Sequence, residues 1–309
     1  MTRVLTVGET MALLDPVVDG ELRYGDALTL RIAGAESNFA IALARLGVDV
    51  TWVSRVGADP FGRIVVAALA GEGVDGRAAV DPAAPTGLFM KVRGAYGPAN
   101  VYYRRGSAAS RLGIGDVPDE LLDGVELVHL TGITTALGDT ARELVHDVAR
   151  RAKERGVLVS FDPNYRASLW DGQAAALAAH EALIPLVDWY LCGAGEGMLL
   201  FGVDGADAVL AAALAAGAKE AVVRMGADGA LTADGVIAPS HVLAVRDEVG
   251  AGDGFAAGYA WARLQGWTPA RAVEAAHCVA ASTLHATGDW ETYPTRDELL
   301  AALDDSKRR

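Results

Sequence analysis

Short apolar runs and segments of helical period alternate along most of the chain. RVLTVGE (3–9) has the length and β-branched content of a buried strand. ESNFAIALARLG (36–47) has helical spacing, with Phe39, Leu43 and Leu46 on one face and Gly47 as its stop. VDVTWVSRVG (48–57) predicts the next strand and FGRIVVAALAGEGV (61–74) the next helix. The alternation resumes with strands over 125–132, 156–164, 187–192 and 220–226. Helices are predicted over 139–155, 172–184, 204–216, 252–265 and 268–286. Such spacing predicts a parallel sheet covered by helices. Two stretches break the pattern. Residues 11–32 and 86–105 read as strands and turns without a helix, with Gly20, Gly25, Gly94 and Gly97 supplying the turns. They predict one small antiparallel sheet that serves as a lid, an oligomer contact, or both.

The chain has 309 residues, enough for one large α/β domain or two small ones, and neither a low-complexity linker nor an internal repeat divides it. No apolar run reaches the length of a membrane span. The start, MTRVLTVGET, lacks the apolar core of a signal peptide, and two cysteines, Cys192 and Cys278, form no disulfide framework. Together they point to the cytoplasm. A net charge of −13 argues against nucleic acid and anionic membranes as partners, yet leaves room for a small anion held by a few arginines.

The most informative stretch is DEVGAGDGFAAG (247–258). No G-x-x-x-x-G-K-[ST] phosphate loop occurs in the chain. A formal G-x-G-x-x-A does occur at Gly252, Gly254 and Ala257, but far from the first strand, where a dinucleotide fingerprint belongs. Gly250, Ala251 and Gly252 instead lead straight into a helix, whose free N–H groups and dipole make an anion site. Asp253 falls in the first helical turn. A carboxylate there either stabilises the helix N-terminus or takes a proton from a hydroxyl beside the bound anion.

DEVGAGDGFAAG resembles the C-terminal signature of the ribokinase/PfkB carbohydrate kinase family, and AGAESNFAIALARLG (33–47) resembles its N-terminal signature. MGADGA (225–230) looks like the family's nucleotide-binding turn, and the resemblance runs from residue 1 to about 300. Within the family the chain is most similar to 2-keto-3-deoxygluconate (KDG) kinases. That likeness rests on GAESN (34–38), VYYRRGSAAS (101–110), LTGIT (130–134), DPNYRASLW (162–170) and TGDWE (287–291). The resemblance implies a single ribokinase-like domain over 1–309. It would be a three-layer α/β/α sandwich with a mostly parallel central sheet and an antiparallel β lid from about 11–33 and 86–106.

It also implies ATP-dependent phosphorylation of a sugar primary hydroxyl. Asp253 would be the base, and the amides of Gly250, Ala251 and Gly252 the anion hole. Gly34, Asn38, Phe89, Tyr103, Arg104, Asn164, Arg166 and Asp289 map onto sugar-contact positions. Arg104 and Arg166 together suit a sugar acid, because guanidinium matches carboxylate through two hydrogen bonds. Gly193, Arg224, Gly226, Gly229, Gly252 and His277 map onto the ATP site. Glu196 maps onto the Mg²⁺ position, acting through water, and a monovalent cation stays open. Asp247 would organise the phosphate loop. His277 and His285, eight apart beside Cys278, form no metal spacing. Three positions depart from the pattern: Gly193 and His277 replace asparagines, and Phe89 replaces a tyrosine. A homodimer or higher homo-oligomer through the lid is the expected assembly. The competing readings are a kinase for a neutral ketose such as fructose, and a non-catalytic sugar-binding protein of the same fold.

Overall fold

The alternating apolar runs pair into a nine-stranded sheet in the computed structural model, which describes residues 2–18, 20–94, 97–239, 249–284 and 288–306. Asp247 and His285 lie outside the described residues. The strands are β1 (Arg3–Val7), β2 (Met11–Pro16), β3 (Leu28–Ala33), β4 (Asp49–Gly57), β5 (Asp75–Asp81), β6 (Leu88–Gly94) and β7 (Gly97–Tyr103). They continue with β8 (Leu127–Thr131), β9 (Leu158–Asp162), β10 (Trp189–Gly193), β11 (Glu220–Arg224), β12 (Ala230–Thr232) and β13 (Gly235–Ile237). The large sheet has the order β13-β12-β11-β10-β9-β8-β1-β4-β5. It is parallel from β5 to β11, and β12 and β13 close one edge antiparallel.

The helices are α1 (Ala35–Arg45), α2 (Pro60–Gly71), α3 (Gly132–Thr135), α4 (Asp139–Glu154), α5 (Gln173–Leu183), α6 (Ala194–Phe201), α7 (Ala206–Ala215), α8 (Ala251–Leu264), α9 (Pro269–Thr283) and α10 (Arg296–Ser306). Period-two alternation in the strands sorts them into two layers. Val4, Trp52, Leu127, Leu191 and Val222 pack with α1, α2, α8, α9 and α10. Their chain neighbours Leu5, Val53, Val128, Tyr190 and Val223 pack with α4, α5 and α7 on the other face. Burial on both faces is why these strands read as unbroken apolar runs. Among the described residues, no single helix is long and apolar enough to cross a membrane.

The lid is a second sheet of order β3-β2-β6-β7. Each insertion makes an antiparallel pair, β2 with β3 and β6 with β7, and the inner strands β2 and β6 meet in parallel. Register fixes which side chains face inward. Leu13, Arg31, Phe89 and Tyr102 share one face. Leu14, Leu30, Met90 and Val101 form a row on the other, with Tyr103 beside them in the next row. Tyr103 is therefore a correction: it is 60% exposed on the outer face, and Tyr102 takes the inward place. A one-residue step along a strand exchanges faces.

β5, α6, α10, β12 and β13 were not anticipated. β5 is an edge strand carrying Asp75, Arg77 and Asp81, which conceal its alternation. The chain runs from β1 outward to β4 and β5, then returns to β8 on the other side of β1. The strand order reverses there, and open α/β sheets place ligands at the carboxyl ends of strands beside such a reversal.

Leu5 sits at the middle of the sheet with no exposed surface. Leu5→Ala is expected to cost about 2–5 kcal/mol in urea unfolding; a loss below about 1 kcal/mol would contradict this packing.

Candidate active site

A cavity of about 410 Å³ opens between the lid and the carboxyl ends of the strands. Its floor begins at Gly250, the residue before α8. Gly250 has φ +82°, and a Cβ there would overlap the Asp289 carbonyl, so only glycine fits. The N–H groups of Ala251, Gly252 and Asp253 fall in the first turn of α8, where no helical acceptor exists, and none has an acceptor among the described residues. Gly250 and Gly252 line the cavity, with Ala251 between them in the chain.

Asp253 stands half-buried on the cavity wall. Asn38 Nδ2 donates to its Oδ2 at 2.8 Å, and Asn164 Nδ2 to its Oδ1 at 3.4 Å. Burial pushes its carboxyl up to about 8. The Asn38 hydrogen bond and Arg166 work against that rise, and the charges of Asp162 and Asp289 add to it. Asn38 reaches the carboxylate from the first turns of α1. Gly34 precedes that helix, where a Cβ would overlap the Glu9 carbonyl. The Asn38 Oδ1 is buried without a hydrogen-bond partner among the described residues. Asn164 has φ +38°, a left-handed value that asparagine tolerates, and its N–H donates to Asp162 Oδ1 at 3.0 Å.

Arg224 lies beneath this floor at the end of β11. It pairs with Asp162 Oδ2 at 2.6 Å, with Oδ1 at 3.1 Å and with Glu196 Oε1 at 3.2 Å, and donates to the Gly252 carbonyl at 3.3 Å. Burial opposes its charge, but Asp162 and Glu196 outweigh that and raise its pKa. Arg224 lines the cavity as assigned, yet as a clamp on three elements, since its donors are committed to protein. Glu196 also accepts from the N–H groups of Tyr165 at 2.8 Å and Gly193 at 2.6 Å. Burial, followed by the nearby Asp162, raises its pKa.

The lid side carries the remaining polar groups. Arg104 is buried against Glu9 at 2.5 Å, and Ser107 donates to the same carboxylate. Phe89 stacks on Tyr102 with ring centroids 5.4 Å apart. Lys91 and Asp289 form a buried pair at 2.9 Å. Arg166 stands exposed at the rim, with no ion pair to a carboxylate among the described residues.

Of the positions singled out in the sequence, Gly34, Asn38, Phe89, Arg104, Asn164, Arg166, Glu196, Arg224, Gly250, Gly252, Asp253 and Asp289 converge on this cavity. Gly226 and Gly229 shape the turn between β11 and β12, outside its lining, and Gly193 caps α6. His277 stands edge-on to Phe255 at 5.4 Å, also outside the lining, and burial lowers its pKa to about 4. Tyr102, Asn100, Asp162, Glu9 and Lys91 were missed. Strand parity would have found Tyr102; the buried partners Glu9 and Lys91 carry no local signal.

The amides of Ala251, Gly252 and Asp253 suit a phosphate chain, since no described residue occupies them. Among the described residues no cluster of three His, Cys, Asp or Glu side chains could hold a metal. Asp162 and Glu196 already neutralise Arg224, so Mg²⁺ here fits as an ion carried on phosphate and water, with these carboxylates nearby.

Comparison with known proteins identifies the family. The model for "pfkB family carbohydrate kinase" matches residues 1–296. A 2-dehydro-3-deoxygluconokinase of Bacillus subtilis is 35% identical over 97% of this chain and 94% of its own length. One of Thermoproteus tenax is 37% identical over 74% of this chain and 71% of its own. A ribokinase-II-like protein of E. coli, solved with ATP and Mg²⁺, superposes with a TM-score of 0.88 at 25% identity over 99% of this chain and all of that one.

Two outcomes are expected. A carbon-13 label on the Asp253 carboxyl should titrate near pH 8 in the free protein. Asn38→Ala should move that midpoint upward, because the lost hydrogen bond favoured the ionised form; a midpoint in the ordinary carboxylate range would contradict the burial argument. Arg224→Met should cost about 3–5 kcal/mol in denaturant unfolding, because it strands two buried carboxylates; a neutral effect would show the clamp to be dispensable.

Proposed function

We propose that this chain, which belongs to the pfkB family of carbohydrate kinases and is an ATP-dependent sugar kinase, phosphorylates 2-keto-3-deoxygluconate on its primary hydroxyl. One observation carries the reading. A carboxylate with a raised pKa stands at a helix N-terminus whose first amides have no acceptor among the described residues, in the same cavity as an arginine with no ion pair among them.

Asp253 takes the proton of the hydroxyl as that oxygen bonds to the γ-phosphorus and the bond from phosphorus to the ADP oxygen breaks. The amides of Gly250, Ala251 and Gly252 and the α8 dipole hold the charge spread over the transferring group. Mg²⁺ screens the triphosphate. A base titrating near pH 8 is better matched to a hydroxyl proton than an ordinary aspartate, and the two asparagines fix the direction in which it acts.

Arg166 takes the sugar carboxylate. Arg104, half-neutralised by Glu9, offers its guanidinium edge to oxygens further along the sugar, and the unpartnered Asn38 Oδ1 accepts from a hydroxyl. Phe89 and Tyr102 give the sugar carbons an apolar wall. A neutral ketose would leave Arg166 unused, which favours the sugar acid over fructose. A pure sensor would have no use for Asp253.

The outer lid face supports a homodimer. Leu28, Leu30, Val101 and Tyr103 are 40%, 41%, 38% and 60% exposed on one apolar surface. We place the protein in the cytoplasm, where its two free cysteines stay reduced.

Asp253→Asn should lower kcat by about 10²–10⁴-fold and leave ATP affinity near wild type; equal loss of ATP binding would make Asp253 a structural residue. Arg166→Lys should raise KM for 2-keto-3-deoxygluconate about tenfold with ATP unaffected, since lysine lacks the two-pronged edge. An unchanged KM would remove Arg166 from the carboxylate site.

A further inference from the structure

The residues between α9 and α10 touch both halves of the site. On the phosphate side, Tyr293 Oη donates to the Gly250 carbonyl at 2.5 Å, and the Asp289 carbonyl sits where a Cβ of Gly250 would be. The Tyr293 ring also lies against Gly254, where a Cβ would come within 2.6 Å of Cε1. The loop that carries the anion-binding amides is thus seated on residues 289–293 at three points. Both ends of that loop have little freedom, because Tyr293 is 3% exposed and Asp289 is 2% exposed.

On the lid side, the same five residues are tied to two strands. Lys91 of β6 pairs with Asp289 at 2.9 Å, Arg31 of β3 pairs with Glu291 at 2.5 Å, and Trp290 Nε1 donates to the Ile32 carbonyl at 3.0 Å. A third anchor comes from α1. Arg45 Nη1 donates to the carbonyls of Trp290, Glu291 and Tyr293 at 3.2, 3.1 and 2.9 Å, and Glu72 holds its other nitrogens. Arg45 pins the middle of the segment to the sandwich. Asp289 and Tyr293 thus stand between the lid strands and Gly250, with contacts on both sides.

We propose that residues 289–293 form a strap that couples the position of the lid over the sugar to the geometry of the phosphate-binding turn, with Tyr293 as the positioning residue at its far end. The strap sets the Gly250–Asp253 amides for the triphosphate when sugar holds the lid, so sugar and nucleotide strengthen each other's binding. By linkage the effect is reciprocal, and a coupling of this kind is commonly worth about 5–150-fold in affinity. The proposal rests on the sugar-acid kinase reading for the identity of the first ligand.

The test is the dissociation constant of Mg²⁺ with a non-hydrolysable ATP analogue, measured by calorimetry with and without saturating 2-keto-3-deoxygluconate. Wild type should bind the analogue about tenfold tighter when sugar is present. Arg31→Met combined with Trp290→Phe cuts two lid ties outside the cavity lining. It should bring the ratio close to one while each ligand still binds alone. Tyr293→Phe removes the opposite end with one atom. It should give the same loss of coupling, and a lower kcat with sugar KM little changed, a split that general destabilisation does not produce. Thermal melting establishes that each variant is folded, and Tyr293→Phe decides the matter if the double variant is not. A wild-type ratio of one, or an unchanged ratio in a folded variant, overturns the strap. Failure of wild type to bind the sugar acid at all overturns the substrate reading instead, and the same titration with whichever sugar supports turnover then decides the coupling.

Discussion

The site depends on one buried cation. Arg224 ends a central strand and draws together Asp162 from the end of β9, Glu196 from the first turn of α6 and the Gly252 carbonyl from the first turn of α8. Three elements distant in sequence meet there because each offers a negative group and only one guanidinium serves them all. Such a cluster gains little net stability over an apolar core, but losing one member leaves uncompensated charge, so its geometry tolerates little change. It fixes the floor on which the Gly250–Gly252 turn and Asp253 stand.

The charge arrangement follows from that floor. Asp162, Asp253 and Asp289 crowd toward one cavity in a chain that already carries −13. Arg224 neutralises the first and Lys91 the third, while the hydrogen-bond partners of Asp253 among the described residues are the side-chain amides of Asn38 and Asn164. Burial first, and then the two carboxylates nearby, hold the Asp253 proton on, a shift of the kind found at functional sites. Arg104 shares its charge with Glu9, so among the described residues of the cavity Arg166 is the arginine with no carboxylate partner. The protein sorts six charged groups into three pairs, and among the described residues Asp253 and Arg166 stand outside them.

Much of this was legible in the sequence. Alternating runs specified the parallel sheet, since buried strands must be apolar on both faces, and helix-free stretches specified the lid. The G-A-G-D turn specified the anion site, because a glycine with φ +82° against a neighbouring carbonyl admits no other residue. What stayed hidden depends on contacts between distant segments. Arg224 precedes a glycine turn and so looked like a nucleotide ligand; its partner Asp162 lies 62 positions away. Tyr103 and Tyr102 are equivalent until strand register decides which faces inward. Lys91 and Tyr293 gave no local sign of a role, because each acts through a partner some two hundred or forty residues away. The raised pKa of Asp253 is likewise a property of its neighbours and its burial.

The central claim is that this cavity joins a phosphoryl-transfer centre to a carboxylate site. Its most direct test is ADP release by the purified protein with ATP and Mg²⁺ across 2-keto-3-deoxygluconate, its C4 epimer, gluconate, fructose and ribose. The account predicts turnover with a 2-keto-3-deoxy sugar acid, at a kcat/KM far above that of the neutral sugars. Equal or better turnover of fructose or ribose would contradict the carboxylate site, and no sugar-dependent ADP release with any of the five would contradict the phosphoryl-transfer centre.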